Sequence, residues 1–320
     1  MLGAGVLAAP LASFAQQGRI WRVGFFYYAS RQSSIDTGRY NAFVQGMRDL
    51  GYVSGKNLVL EERYADGKVE RLPALAAELV RLKPDVIVAT GTPVYRALRL
   101  ATATIPVVIT VTVDPVVDGF AASMSRPGGN FTGLAISAAD LGPKLLELLI
   151  AAVPKVSRVG VLMHQDNPAH PPQLVKIMLA AQTVGVQIVV AQAGTTEEIT
   201  GQFTMLARER AHAAIMFPDP FFLEQLRHIA AQALKNKLPS IFALREYTEV
   251  GGLMSYGADV VDNFRRAPTY VDKIIKGARP GELPFEQPMR YYLEINRKTA
   301  KALGLTIPQE LLLRADKVIE

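Results

Sequence analysis

Four times along this chain an apolar run ends in a small polar residue followed by proline. The runs cover residues 86–93, 107–115, 159–168 and 214–220. Each predicts a buried strand, then a cap residue, then proline at the first position of a helix. Continuous buried strands that alternate with helices predict parallel sheets covered on both faces. In such sheets ligands sit beyond the carboxyl ends of the strands. The tips Thr92, Asp114, Asn167 and Asp219 are therefore the expected contacts with a ligand. Two lie in each half of the chain, which predicts two sheets facing one cleft.

The rest of the pattern fills in the alternation. Further strands are predicted over 22–28, 57–64 (a half-exposed edge), 132–137, 187–191, 240–244, 251–257 and 291–295. Helices are predicted over 37–50, 72–82, from Pro93, and over 144–152, 174–184, 199–208, 222–235, 260–276 and 298–303. The helix over 260–276 should break or kink near Pro268. Gly51, Gly185 and Asn236 stand where helix ends are expected. The dense turn signal at 125–130 predicts a crossing between lobes.

Composition narrows the function. At 320 residues, two domains are the default. The net charge of +6 comes from scattered basic residues without a run of like charge, a solubility feature. No nucleic-acid-binding motif accompanies it. The chain has no cysteine, which removes disulfides, thiol catalysis and cysteine-ligated metals. Residues 1–15 are small, apolar and uncharged, and Ser13 and Ala15 fit cleavage before Gln16. That stretch reads as a signal-peptide remnant lacking its basic start, the alternative being an ordinary apolar helix. It is too short to span a bilayer, and later apolar runs are broken by charge, proline or glycine. An exported, soluble chain without membrane insertion is expected.

Catalytic signatures are absent. The four histidines form no HExxH. Ser255 sits at the wrong spacing for a nucleophile elbow. The glycines at 51–57 and 3–8 match phosphate and dinucleotide loops by letters only. The sequence calls for no cofactor or metal.

What the chain offers instead is helix starts. Free N–H groups and the helix dipole favour an anion there. Gly91-Thr92-Pro93 is the best such site; the plain alternative is that Thr92 only caps its own helix. Asp114 and Asp219 cap helices or accept from a ligand amine, the cap reading being favoured. Asn167 joins a donor and an acceptor without charge. Tyr28, Phe221 and Tyr256 are the aromatics placed to offer a stacking face, and Ser30 follows the first strand closely. An aromatic or other planar ligand suits that surface.

Residues 43–52, 71–85, 88–93, 126–133, 251–257, 270–284 and 296–320, with Asp114-Pro115 and Asp219-Pro220, resemble the ABC-transporter substrate-binding protein family that includes tryptophan- and tyrosine-binding members. The resemblance covers nearly the whole chain after residue 18. It implies a type I periplasmic binding fold: two Rossmann-like, doubly wound α/β lobes, three crossovers and a hinged cleft. It also implies a periplasmic location and delivery of solute to an ABC permease in the inner membrane. The lobes would be 19–133 with 256–284, and 134–255 with 285–320. Ligand contact would fall on Gly91, Thr92, Asp114, Asn167 and Asp219. Tyr27-Tyr28 is bulkier than the pattern usual there. A free amino acid would need an acidic partner for its ammonium; a phenolic acid would not. A ligand-sensing domain of the same fold, or an α/β enzyme, are the alternative readings.

Overall fold

The computed structural model describes residues 19–136, 141–288 and 290–320. The signal-like stretch 1–15 lies outside them. The first half forms β1 (Trp21–Tyr27), α1 (Arg31–Asp36), α2 (Arg39–Asp49), β2 (Leu58–Tyr64), α3 (Leu72–Arg81), β3 (Val86–Thr90), α4 (Thr92–Ala101), β4 (Val107–Thr112) and β5 (Phe131–Ala135). These strands make a five-stranded parallel sheet in the order β2-β1-β3-β4-β5.

The second half forms α5 (Leu141–Ala152), β6 (Arg158–Met163), α6 (His170–Thr183), β7 (Gln187–Gln192), α7 (Thr196–Arg208), β8 (Ala213–Met216), α8 (Pro220–Glu224), α9 (Leu226–Lys235), β9 (Ser240–Phe242), α10 (Glu246–Glu249) and β10 (Met254–Gly257). After them come α11 (Val260–Ile275), β11 (Tyr292–Asn296), α12 (Arg297–Ala302), α13 (Gln309–Arg314) and β12 (Lys317–Ile319). The second sheet runs β12-β11-β10-β9-β8-β6-β7, and only the β10–β11 pairing is antiparallel.

Burial follows position in the sheet. Central β3 is buried at every residue, whereas edge strand β2 is mostly half-buried. Both lobes repeat one winding, with the first strand between the second and third. The order therefore reverses between β1 and β3, and again between β6 and β8. Such switch points leave a crevice at the carboxyl ends of the strands, and the two crevices face each other.

Several boundaries differ from expectation. The predicted helix over 37–50 is α2, which starts at Arg39 after Gly38 in the left-handed region (φ +72°), and the short helix α1 before it was not expected. The 125–130 turn is not a lobe crossing: it precedes β5, which pairs with β4, so the first sheet runs through Ala135. Likewise β10 completes the second sheet through Gly257, and α11 then returns to pack on α2 and β4 of the first lobe. Helix α11 is not broken; it continues through Pro268. Elements α10, α13 and β12 carry too few periodic positions to show in the sequence.

Gly46 sets the distance between α2 and α11. A Cβ there would lie 2.5 Å from the Arg265 carbonyl oxygen and 3.0 Å from Pro268 Cγ. Gly46→Ala should therefore lower stability by about 1–3 kcal/mol. Urea unfolding followed by circular dichroism measures it; an unchanged midpoint would contradict this packing.

Candidate ligand site

The lobes meet across the gap between the two crevices. Ser30 N–H donates to Glu224 Oε1 of the second lobe at 3.2 Å. Arg39 Nη2 donates to Glu246 Oε1 at 2.7 Å, and both side chains are buried. A Cβ on Gly91 would lie 3.4 Å from Pro220 Cγ in the opposite lobe. One apolar core is continuous from Phe43 and Phe264 to Phe222 and Leu223. The protein stands in a closed arrangement. The gap encloses a cavity of about 70 Å³.

Its walls come from the strand ends that the winding selects: Tyr27 and Tyr28 at the end of β1, Thr90, Gly91 and Thr92 at the end of β3, Asn167 after β6, and Pro218, Asp219 and Pro220 after β8. Val111, Ile136, Leu223, Leu244 and Val260 add an apolar surface.

The helix starts at this gap differ in one respect. Asp219 caps α8: its Oδ1 accepts from Phe221 N–H at 2.7 Å and Phe222 N–H at 3.4 Å. Ser30 caps α1 through Ser33 N–H. In the first turn of α6, His170 N–H is held by the Asn167 carbonyl oxygen, and Pro171 and Pro172 have no N–H to offer. At α4 the cap is Gly91, not Thr92, and Gly91 has no side chain to supply an acceptor. Pro93 has no N–H, but the first-turn amides of Thr92 and Val94 have no acceptor within the helix either. Gly91 adopts φ +105°, and its missing Cβ also leaves room for Tyr28 Cβ, 3.1 Å from where one would sit.

Asp219 faces this start from the other lobe and is 5 % exposed. Its Oδ2 accepts from Asn167 Nδ2 at 2.7 Å, and Asn167 Oδ1 in turn accepts from Ala169 N–H. His164 Nδ1 and His170 Nε2 lie 3.7 and 3.9 Å from the same oxygen. Backbone partners orient His170. His164 N–H donates to its Nδ1 at 2.9 Å, so Nε2 carries the proton and points at the Pro218 carbonyl oxygen, 3.3 Å away. Tyr28 hydroxyl donates to the Gly67 carbonyl oxygen at 2.8 Å, which fixes the ring against the gap. Burial, and then the Asp219 carboxylate, push that hydroxyl well above the usual phenol range, so it stays protonated.

The gap thus brings together Tyr28, Gly91, Thr92, Asn167 and Asp219. Other expected residues stand elsewhere. Asp114 closes a turn, accepting from Val116 and Val117 N–H, because no helix follows β4. Pro93 is the second residue of α4, behind the opening. Ser30 is occupied by its helix cap and by Glu224. Phe221 packs on His164 and Phe222 and against the first-lobe core, a contact between lobes rather than a free face. Tyr256 stacks on Tyr291, with centroids 5.7 Å apart, away from the gap. Arg39 and Tyr27 line the gap although sequence reasoning did not select them. Nothing local marks Arg39, since its carboxylate partner is 207 residues away in sequence.

Two doubly wound, mainly parallel sheets meeting over a gap with polar strand ends and apolar walls define a bilobed small-molecule-binding protein of the type I periplasmic binding fold. Residues 33–319 match the model of the family described as ABC transporter substrate binding protein, and the chain belongs to that family. A tyrosine-binding protein of Clostridioides difficile (strain R20291) is 25 % identical over 276 residues, 85 % of this chain and 78 % of the relative. A conserved domain protein of Vibrio cholerae has a structure matching at TM-score 0.88 and 27 % identity, covering 94 % of this chain and all of that one. The structure of a Streptococcus pneumoniae ABC domain in complex with L-Trp matches at TM-score 0.86 and 24 % identity, with the same coverage. The protein is accordingly a solute-binding component of an ABC transporter.

Burial holds the His170 imidazole below its ordinary value of 6.5, against the opposing pull of Asp219. The unfolded chain then binds this proton more readily than the folded one. The resulting stability is complete above about pH 6.5 and is lost as pH falls toward the folded-state value. Urea midpoints should drop between pH 7 and 5, and less steeply in His170→Gln. Parallel profiles would contradict this reading.

Proposed function

We infer that this protein captures a small aromatic amino acid between its lobes and delivers it to the permease of an ABC importer, as an exported, periplasmic component. The observation that carries the reading is the pairing of opposite polarities across the gap. On one side is the uncapped start of α4, a ten-residue helix whose dipole and free amides suit a carboxylate. On the other is the Asp219 carboxylate, braced by Asn167 and facing an ammonium of the same solute. The ring of Tyr28 and the apolar residues between them suit an aromatic side chain. A zwitterion bridging both lobes favours the closed state by its differential affinity for it. The tyrosine-binding relative and the neighbour solved with L-Trp support the aromatic class.

Isothermal titration calorimetry with L-tyrosine, L-tryptophan and L-phenylalanine tests the reading, together with the carboxamide and the des-amino acid of the best binder. The carboxamide should bind at least about tenfold more weakly. Asp219→Asn, which retains a capping oxygen, should weaken the amino acid by about tenfold or more and leave the des-amino acid nearly unchanged. Absence of binding by all three amino acids would overturn the ligand class. Equal losses for both compounds would overturn the role of Asp219.

A further inference from the structure

The grip on the zwitterion leaves a second polar corner of the gap unused. Successive residues of a strand point to opposite faces. At the end of β1, Tyr28 joins the core beside α3 and α4, next to Gly91. Tyr27 joins the opposite core with Phe43 and Phe264. Arg39 meets it there: Nη1 donates to the Tyr27 hydroxyl at 3.2 Å while Nη2 holds Glu246. Both Tyr27 and Arg39 line the gap.

This corner has donors without acceptors. Arg39 is 4 % exposed, and its buried Nε–H has no partner among the described residues. The Tyr27 oxygen accepts from Arg39, so its own hydroxyl proton remains to be donated, and no described residue accepts it. Buried donors left unpaired are rare and costly, and point to an absent acceptor. The acceptor's charge is constrained as well. Glu246 already balances the guanidinium, so a second carboxylate would be buried there without a cation of its own. A neutral oxygen accepts from the Tyr27 hydroxyl without that cost.

We propose that Tyr27 and Arg39 form a specificity corner that receives a neutral oxygen, a phenolic hydroxyl, at the far end of an elongated aromatic solute. The inference rests on the aromatic, carboxylate-bearing reading above and adds to it what the far end of the ligand must carry.

Calorimetry with L-tyrosine, L-phenylalanine and 4-carboxy-L-phenylalanine tests it on the wild type and on Tyr27→Phe, a substitution that keeps the ring packing. L-Tyrosine should bind at least about tenfold tighter than L-phenylalanine, and tighter than the 4-carboxy compound. Tyr27→Phe should remove most of the preference and leave L-phenylalanine affinity within about twofold. Equal wild-type affinities for L-tyrosine and L-phenylalanine, or a preference unchanged in Tyr27→Phe, overturn the corner and leave the aromatic reading standing. Tighter binding of the 4-carboxy compound overturns the neutrality argument. Failure of both L-tyrosine and L-phenylalanine to bind overturns the corner, and failure of L-tryptophan as well overturns the aromatic reading with it.

Discussion

A helix start that faces a cleft and has no cap of its own must find its acceptors outside the chain. That is the condition of α4. Its cap is a glycine, its first-turn amides have no intrahelical partners, and it opens at the switch point of the first sheet. At the corresponding point in the second lobe, the amides of α8 are already satisfied by Asp219. The two lobes are therefore wound alike and finished differently. One presents unpaired donors, and the other presents the second oxygen of a carboxylate whose first oxygen is committed to a cap.

The winding explains why these groups meet. Strand order fixes which ends diverge, and the divergent ends of each sheet are those that carry Tyr28, Gly91, Asn167 and Asp219. Return of α11 to the first lobe, under Thr110 through Asn263, ties the lobes by a connection separate from the one after β5. Closure then rests on contacts of two kinds. Ion pairing of Arg39 with Glu246 and the Phe221 packing belong to the protein alone. The facing amides and carboxylate await a solute. Because desolvation offsets much of what a buried ion pair contributes, the first kind sets the geometry of closure while the second makes it depend on ligand.

Much of this was legible in the sequence. The strand–cap–proline runs at 86–93 and 214–220 located both faces of the gap, and Asp219-Pro220 took the predicted cap and first helical positions. The run at 107–115 misled, because Asp114 serves a turn as readily as a helix and the local pattern is the same for both. Thr92 was expected to cap α4; the strained conformation that makes Gly91 the cap depends on contacts with Tyr28 and Pro220 that no local pattern encodes. Tyr256 and Phe221 illustrate the converse, since a ring near a strand end packs inward whenever another ring, Tyr291 or His164, is there to meet it. Arg39 was invisible because its role depends on a helix of four residues in the other lobe.

The measurement that bears most directly on the claim of a two-ended grip is a crystal structure of the protein with a bound aromatic amino acid. The account predicts the ligand carboxylate on the Gly91–Thr92 amides and its ammonium on Asp219. A ligand bound in the opposite polarity, or outside the gap between the lobes, would contradict it.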